Sequence, residues 1–144
     1  MIRVFLDANV FFAASYSSTG ASRALFQAAL ESEIEIVASE LVLIEAERNL
    51  AQKAPAALPA FRQLCELAVG ETVDKPSRKE LDRAAAIIAL KDAPVLAAAI
   101  KARVDYLVTL DRRHFANDPQ IAVRSRLNVL TPEQMLAILR AESL

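Results

Sequence analysis

The chain has 144 residues, 54% of them hydrophobic, with 17 Lys and Arg against 18 Asp and Glu. That length buries one core and leaves too little for two comfortable ones, and the composition excludes a disordered chain. A formal net charge of −1 excludes a bulk polycation, although not a local basic patch.

A single cysteine, Cys65, excludes an internal disulfide and suits a reducing cytoplasm. Its apolar helical surroundings make it a core or interface residue rather than a nucleophile. Residues 1–15 lack the order of a secretory leader. No apolar run approaches the roughly 20 residues of a membrane span. The longest is broken by Lys91-Asp92.

In chain order, Ile2-Arg3-Val4-Phe5-Leu6 predicts a buried strand that delivers Asp7 to its C-terminal end. Asn9 reads as the N-cap of a short helix running to about Ser15. Ser17–Gly20 is a turn, and Ala21–Leu30 resumes helical periodicity. Ile34–Val37 is a short strand. Ser39 caps a helix carrying Glu45, Glu47 and Arg48. Pro55 and Pro59 mark a joint before a helix over about Ala60–Ala68, with Gly70 as its C-terminal stop. Glu71–Val73 predicts an edge strand. Ser77-Arg78-Lys79-Glu80 is a capping box opening a helix that ends near Leu90.

Lys91-Asp92-Ala93-Pro94 restarts a helix, with Asp92 at or beside its N-cap. Asp105–Leu110 predicts a second buried strand ending at Asp111. Arg112–Phe115 and a polar loop, Ala116–Gln120, follow. Leu127–Leu130 is a last strand. Thr131-Pro132-Glu133-Gln134 opens a helix to about Ala141. This alternation predicts an α/β fold with a parallel sheet between two helical layers, and no domain boundary interrupts residues 1–144.

Asp7, Glu45, Asp92 and Asp111 stand where one crevice can collect them, provided the strands ending at Asp7 and Asp111 are neighbours at the sheet's switch point. Converging carboxylates repel unless a cation or protons neutralise them. Hard oxygen donors suit Mg²⁺ or Mn²⁺, the ions of metal-assisted phosphodiester hydrolysis. Each acid also has an ordinary use, as a turn, a helix cap or a solvated charge. Asn9 would orient Asp7, and Thr109 also serves as a β-branched strand residue. His114, the only histidine, reads as a polar packing residue.

The segments Phe5–Val10, Ala38–Glu45, Lys91–Ala99 and Asp105–Phe115 resemble, in order, those of the PIN domain family. The resemblance implies a three-layer α/β/α sandwich around a central parallel sheet and a Mg²⁺- or Mn²⁺-dependent ribonuclease. It puts Asp7, Glu45, Asp92 and Asp111 on the family's acidic quartet, as catalytic and metal-holding residues. It puts Asn9, Ser39 and Thr109 on its supporting polar positions. The segment Val104–Asp111 is similar to toxin components of prokaryotic toxin–antitoxin pairs. That implies an RNA substrate, a small antitoxin protein as partner and a homodimer. Ala8 departs from the commoner Thr or Ser between Asp and Asn.

Candidate phosphate contacts are Lys91, Arg48, Arg112 and Arg113, each of which also serves as ordinary surface charge. Arg124 and Arg126 form a second basic pair, and Tyr16 either stacks on a base or covers a helix. Phe12, Leu25-Phe26 and Phe61-Leu64 are either core or a partner surface. Two rival functions remain. One is a catalytically silent PIN-like module that binds RNA or protein. The other is a phosphatase or receiver-like domain, disfavoured because it wants a Lys where Asp111 stands.

Overall fold

The computed structural model describes residues 1–116 and 118–142. Its centre is a five-stranded sheet in the order β3-β2-β1-β4-β5. The strands are β1 (Ile2–Leu6), β2 (Ile34–Ser39), β3 (Val69–Val73), β4 (Tyr106–Val108) and β5 (Asn128–Leu130). Every pairing is parallel. β1 is the middle strand, and its Val4, Phe5 and Leu6 are fully buried. Coverage on both faces explains why this strand is an apolar run rather than an alternation.

The helices are α1 (Ala8–Tyr16), α2 (Ala21–Leu30), α3 (Glu40–Lys53), α4 (Leu58–Ala68), α5 (Arg78–Ala85), α6 (Ala93–Ala102), α7 (Pro119–Ser125) and α8 (Pro132–Glu142). α1 to α4 pack on one another, and α8 joins them through α2. α5 packs on α6, and α7 shares a groove with both. The right-handed crossovers that parallel strands favour account for this division. The chain winds from β1 through β2 to β3 with helices on one face. It then returns through α5 and α6 to β4 with helices on the other. The chain reverses its direction across the sheet between β1 and β4, so a crevice opens above the ends of those two strands.

Phe11 anchors the first layer, meeting Phe26 and Phe61 edge-on at centroid distances of 5.3 and 6.2 Å. Leu25, Phe26, Phe61 and Leu64 are core residues, not partner surface. Only Phe12 of that group is half-exposed.

Several local expectations change. The N-cap of α1 is Asp7, not Asn9: its carboxylate accepts the Ala8 N–H at 2.7 Å. β1 ends at Leu6, so the first side chain able to cap is Asp7, and Asn9 falls inside the helix. Gly70 is not a helix stop but a residue of β3. A Cβ there would lie 2.7 Å from Glu35 Cγ, whose carboxylate is held by Arg3. The glycine therefore answers a close approach between strands, not a backbone turn.

α5 stops at Ala85, short of Leu90. The chain turns there, which buries Ile88 and leaves Leu90 exposed, and a 3₁₀ turn over Leu90–Asp92 leads into α6. The expected loop Ala116–Gln120 partly vanishes. A π-helical turn covers Arg112–Ala116, and α7 begins at Pro119, capped by Asp118 accepting the Gln120 N–H at 3.0 Å. Asn117 of that loop lies outside the described residues.

Ser77–Glu80 forms the expected reciprocal capping box. Thr131 and Gln134 do likewise for α8, at 3.2 and 2.8 Å. No helix of the described residues is long and apolar enough to cross a membrane.

Candidate functional site

β1 and β4 pair as far as Leu6 and Val108. The Asp7 N–H then donates to the Val108 carbonyl at 3.0 Å. The two strand ends are thereby fixed side by side. Thr109 is fully buried beyond β4, and its hydroxyl donates to Asp7 Oδ2 at 2.8 Å. The Thr109 hydroxyl oxygen in turn accepts the Asp111 N–H at 3.1 Å and the Asn9 amide at 3.2 Å. Asn9 Oδ1 accepts the Leu110 N–H at 3.0 Å. One hydroxyl and one amide therefore tie the loop bearing Asp111 to the strand end bearing Asp7. Sitting in the first turn of α1 rather than at its cap frees Asn9 to make this cross-strand clasp.

Asp7, Asn9, Glu45, Asp92 and Asp111 all line one cleft of about 470 Å³. The four acids arrive from different places: Asp7 follows the end of β1, Glu45 stands on α3, Asp92 in the turn before α6, and Asp111 in the segment after β4. Asp7 is only 8% exposed. Burial pushes its carboxyl up to about 6, and the nearby charges of Glu45 and Asp92 act in the same direction. The Thr109 hydroxyl and the Ala8 N–H oppose the rise. Burial also raises Asp92, with Asp111 adding to it, while Lys91 and His114 pull back.

Asp92 occupies the N-cap position of α6, yet its side chain makes no capping bond there. Its Oδ2 is buried without a hydrogen-bond partner. A buried carboxylate oxygen left bare is costly unless something outside the chain meets it. Asp111 is a quarter exposed and accepts the His114 N–H at 2.9 Å. Glu45 is exposed on the cleft wall. Among the described residues, no three His, Cys, Asp or Glu side chains form a ready cage for an ion. The donors are nevertheless hard oxygens, matched to Mg²⁺ or Mn²⁺, which retain several waters and bridge such gaps through them.

Other expected site residues lie elsewhere. Ser39 spends its hydroxyl as the cap of α3, accepting the Val42 N–H at 3.2 Å. It lines an adjacent groove with Glu45, Arg48, Lys91 and Pro94, not the acidic cleft itself. Arg48 belongs to that groove, whereas Lys91 lines both. Arg112 turns away to Glu133, 3.5 Å distant, and Arg113 is exposed and lines neither groove. His114 is not packed: it is 61% exposed, with Nδ1 3.6 Å from Asp111. The π-helical turn after Asp111 carries it outward. Tyr16 is exposed and stacked on Phe12. Cys65 is half-buried, and burial pushes its thiol up to about 11, which makes it a poor nucleophile at neutral pH.

The cleft also recruits Phe12, Asn49 and Lys53. The signal for the last two was in the sequence. Glu45, Asn49 and Lys53 recur every fourth residue along α3, so they share a face once Glu45 is placed.

The family model described as PIN domain matches residues 3–113. No curated protein sequence matches the chain. Among solved structures, PAE2754 from Pyrobaculum aerophilum is similar with a TM-score of 0.64 at 19% identity, over 97% of this chain and 96% of that one. VapBC2 from Rickettsia felis, solved bound to a DNA fragment from its promoter, gives 0.65 at 16% identity, over 90% and 98%. FitAcB from Neisseria gonorrhoeae gives 0.60 at 15% identity, again over 90% and 98%. These likenesses show a shared fold. The family match, running from β1 past Asp111, shows that the chain belongs to the PIN domain family.

Proposed function

We propose that this protein is a divalent-metal-dependent endoribonuclease, with all of residues 1–144 forming one PIN domain. Asp7, Asp92 and Asp111 would hold the ion. Glu45 would complete the site, directly or across a water. The observation that carries this reading is the gathering of acids from four separate places in the chain into one cleft, where Asp92 Oδ2 is buried without a partner. A bound Mg²⁺ or Mn²⁺ would lower the pKa of an attacking water and offset charge on the phosphate oxygens. The chain's own residues do the positioning. Thr109 and Ala8 orient the Asp7 carboxylate, Asn9 holds the loop after β4 in register, and Lys91 attracts phosphate at the mouth.

The test is purified protein against a panel of RNAs in Mg²⁺, Mn²⁺ or EDTA. Cleavage is expected only with metal and is lost in Asp7→Asn and Asp111→Asn. Cleavage that survives EDTA or both substitutions overturns the mechanism. Calorimetry showing no Mn²⁺ binding would leave the silent binding module as the better account.

Within that reading we assign the protein to the toxin side of a toxin–antitoxin pair in the cytoplasm, acting as a homodimer and restrained by a small antitoxin. Support comes from the segment Val104–Asp111 and from the fold shared with VapBC2 and FitAcB. Expression of the chain alone should arrest growth, and co-expression of a small neighbouring gene should relieve it. Sedimentation reads the dimer.

A further inference from the structure

The cleft extends past its acids, and the residues there are of a different chemical kind. On one wall, α3 presents Glu45, then Asn49, then Lys53. On the other, α1 presents Phe12, on which Tyr16 stacks with ring centroids 6.1 Å apart and planes 18° from parallel. α1 and α3 pack directly against each other, so Phe12 lines the same extension of the cleft as Asn49 and Lys53, and Tyr16 stands beside it through its stack on Phe12. Tyr16 is 68% exposed, an unusual position for a large ring that merely covers a helix. Lys53 is exposed and has no ion pair among the described residues. Eight residues of helix put it about 12 Å along α3 from Glu45. That is too far for the phosphate reacting among the acids, so Lys53 suits its neighbour along the strand.

We propose that Phe12, Tyr16, Asn49 and Lys53 form a nucleotide subsite flanking the scissile bond. An unpaired base stacks on the Phe12–Tyr16 platform. The Lys53 ammonium takes that nucleotide's phosphate, and the Asn49 amide, which both donates and accepts, meets a base or sugar edge. A duplex cannot supply the splayed base, so the subsite selects single-stranded segments. The assignment rests on the nuclease reading, and these residues are positioning groups, remote from the reacting atoms.

The test compares wild type, Lys53→Ala, Lys53→Arg, Tyr16→Ala and Tyr16→Phe. Anisotropy of a labelled unstructured RNA is read in EDTA, with a blunt RNA duplex of equal length as control. Steady-state cleavage in Mn²⁺ is read alongside. Lys53→Ala and Tyr16→Ala should each weaken single-strand binding about five- to thirtyfold and leave duplex binding unchanged. In cleavage they should raise KM with kcat within about twofold. Lys53→Arg and Tyr16→Phe should restore most of the affinity. The protein has no Trp and only two Tyr, so quenching of tyrosine emission by RNA, lost in Tyr16→Ala, reports stacking without reference to catalysis. Unchanged single-strand affinity and KM in both alanine variants overturns the subsite while metal-dependent cleavage by wild type leaves the nuclease reading standing. A wild type that neither binds nor cleaves any RNA overturns both.

Discussion

The Thr109 hydroxyl donates to the Asp7 carboxylate at 2.8 Å, across the seam between β1 and β4. A side chain 102 positions away thereby orients the acid that ends the first strand. The Thr109 hydroxyl oxygen also accepts from the Asp111 N–H and the Asn9 amide. Thr109→Val keeps the shape and strands these donors, with an expected loss of about 1–3 kcal/mol by chemical denaturation. Thr109→Ser should recover much of it. In Thr109→Val the Asp7 carboxyl loses a donor that favours its charged form, so Mn²⁺ affinity should fall about 10- to 100-fold by calorimetry.

Burial pushes the Asp7 carboxyl up to about 6 in the folded protein, from an ordinary 3.8. Between those values the folded state binds the extra proton, so stability rises as pH falls through 6 toward 4 and is lost as pH rises. Asp92 is shifted in the same direction. In metal-free buffer, urea midpoints should be higher near pH 5 than near pH 8, with Asp7 contributing about 1.4 kcal/mol over that interval. Asp7→Asn should flatten most of that slope.

Added metal should act oppositely. Its carboxylate ligands must be deprotonated, so Mn²⁺ affinity should climb with pH through about 6. Mn²⁺ should raise the melting temperature of wild type, and EDTA should reverse the gain. Asp92→Asn, which removes the charge of a buried and unpartnered carboxylate, should lose most of the metal-induced rise. Its metal-free stability should be unchanged or improved. Its kcat/KM for RNA should fall at least about 100-fold, equivalent to about 2.7 kcal/mol.

Phe11 touches both Phe26 and Phe61 and is fully buried. Phe11→Ala should cost about 3–5 kcal/mol. By contrast, the Arg112–Glu133 pair is more than half exposed, and Arg112→Ala should change stability by less than about 1 kcal/mol. Because Arg112 is directed at Glu133, Lys91→Ala should weaken RNA binding more than Arg112→Ala does.

Local chemistry made much of this protein legible in the sequence. The apolar run Val4–Leu6 could only be a strand covered on both faces, and the Ser77–Glu80 and Thr131–Gln134 boxes fixed two helix starts. Asp7 could be placed at a strand end because a carboxylate breaks an apolar run; the strand expected to run to Leu110 stops at Val108, so Asp111 stands in the segment beyond β4 and not at its end. Those signals lie within a few residues of what they specify.

What the sequence alone could not decide was set by contacts between segments distant along the chain. The cap of α1 went to Asp7 because β1 ends at Leu6, which freed Asn9 to clasp the loop after β4. Gly70 is a strand residue, and that strand position takes glycine because Glu35 crowds it from the neighbouring one. Arg112 turned to Glu133, while Asn49 and Lys53 joined the cleft. Side-chain partners of this kind depend on which strands become neighbours. That is a property of the sheet order, which no local window of sequence contains.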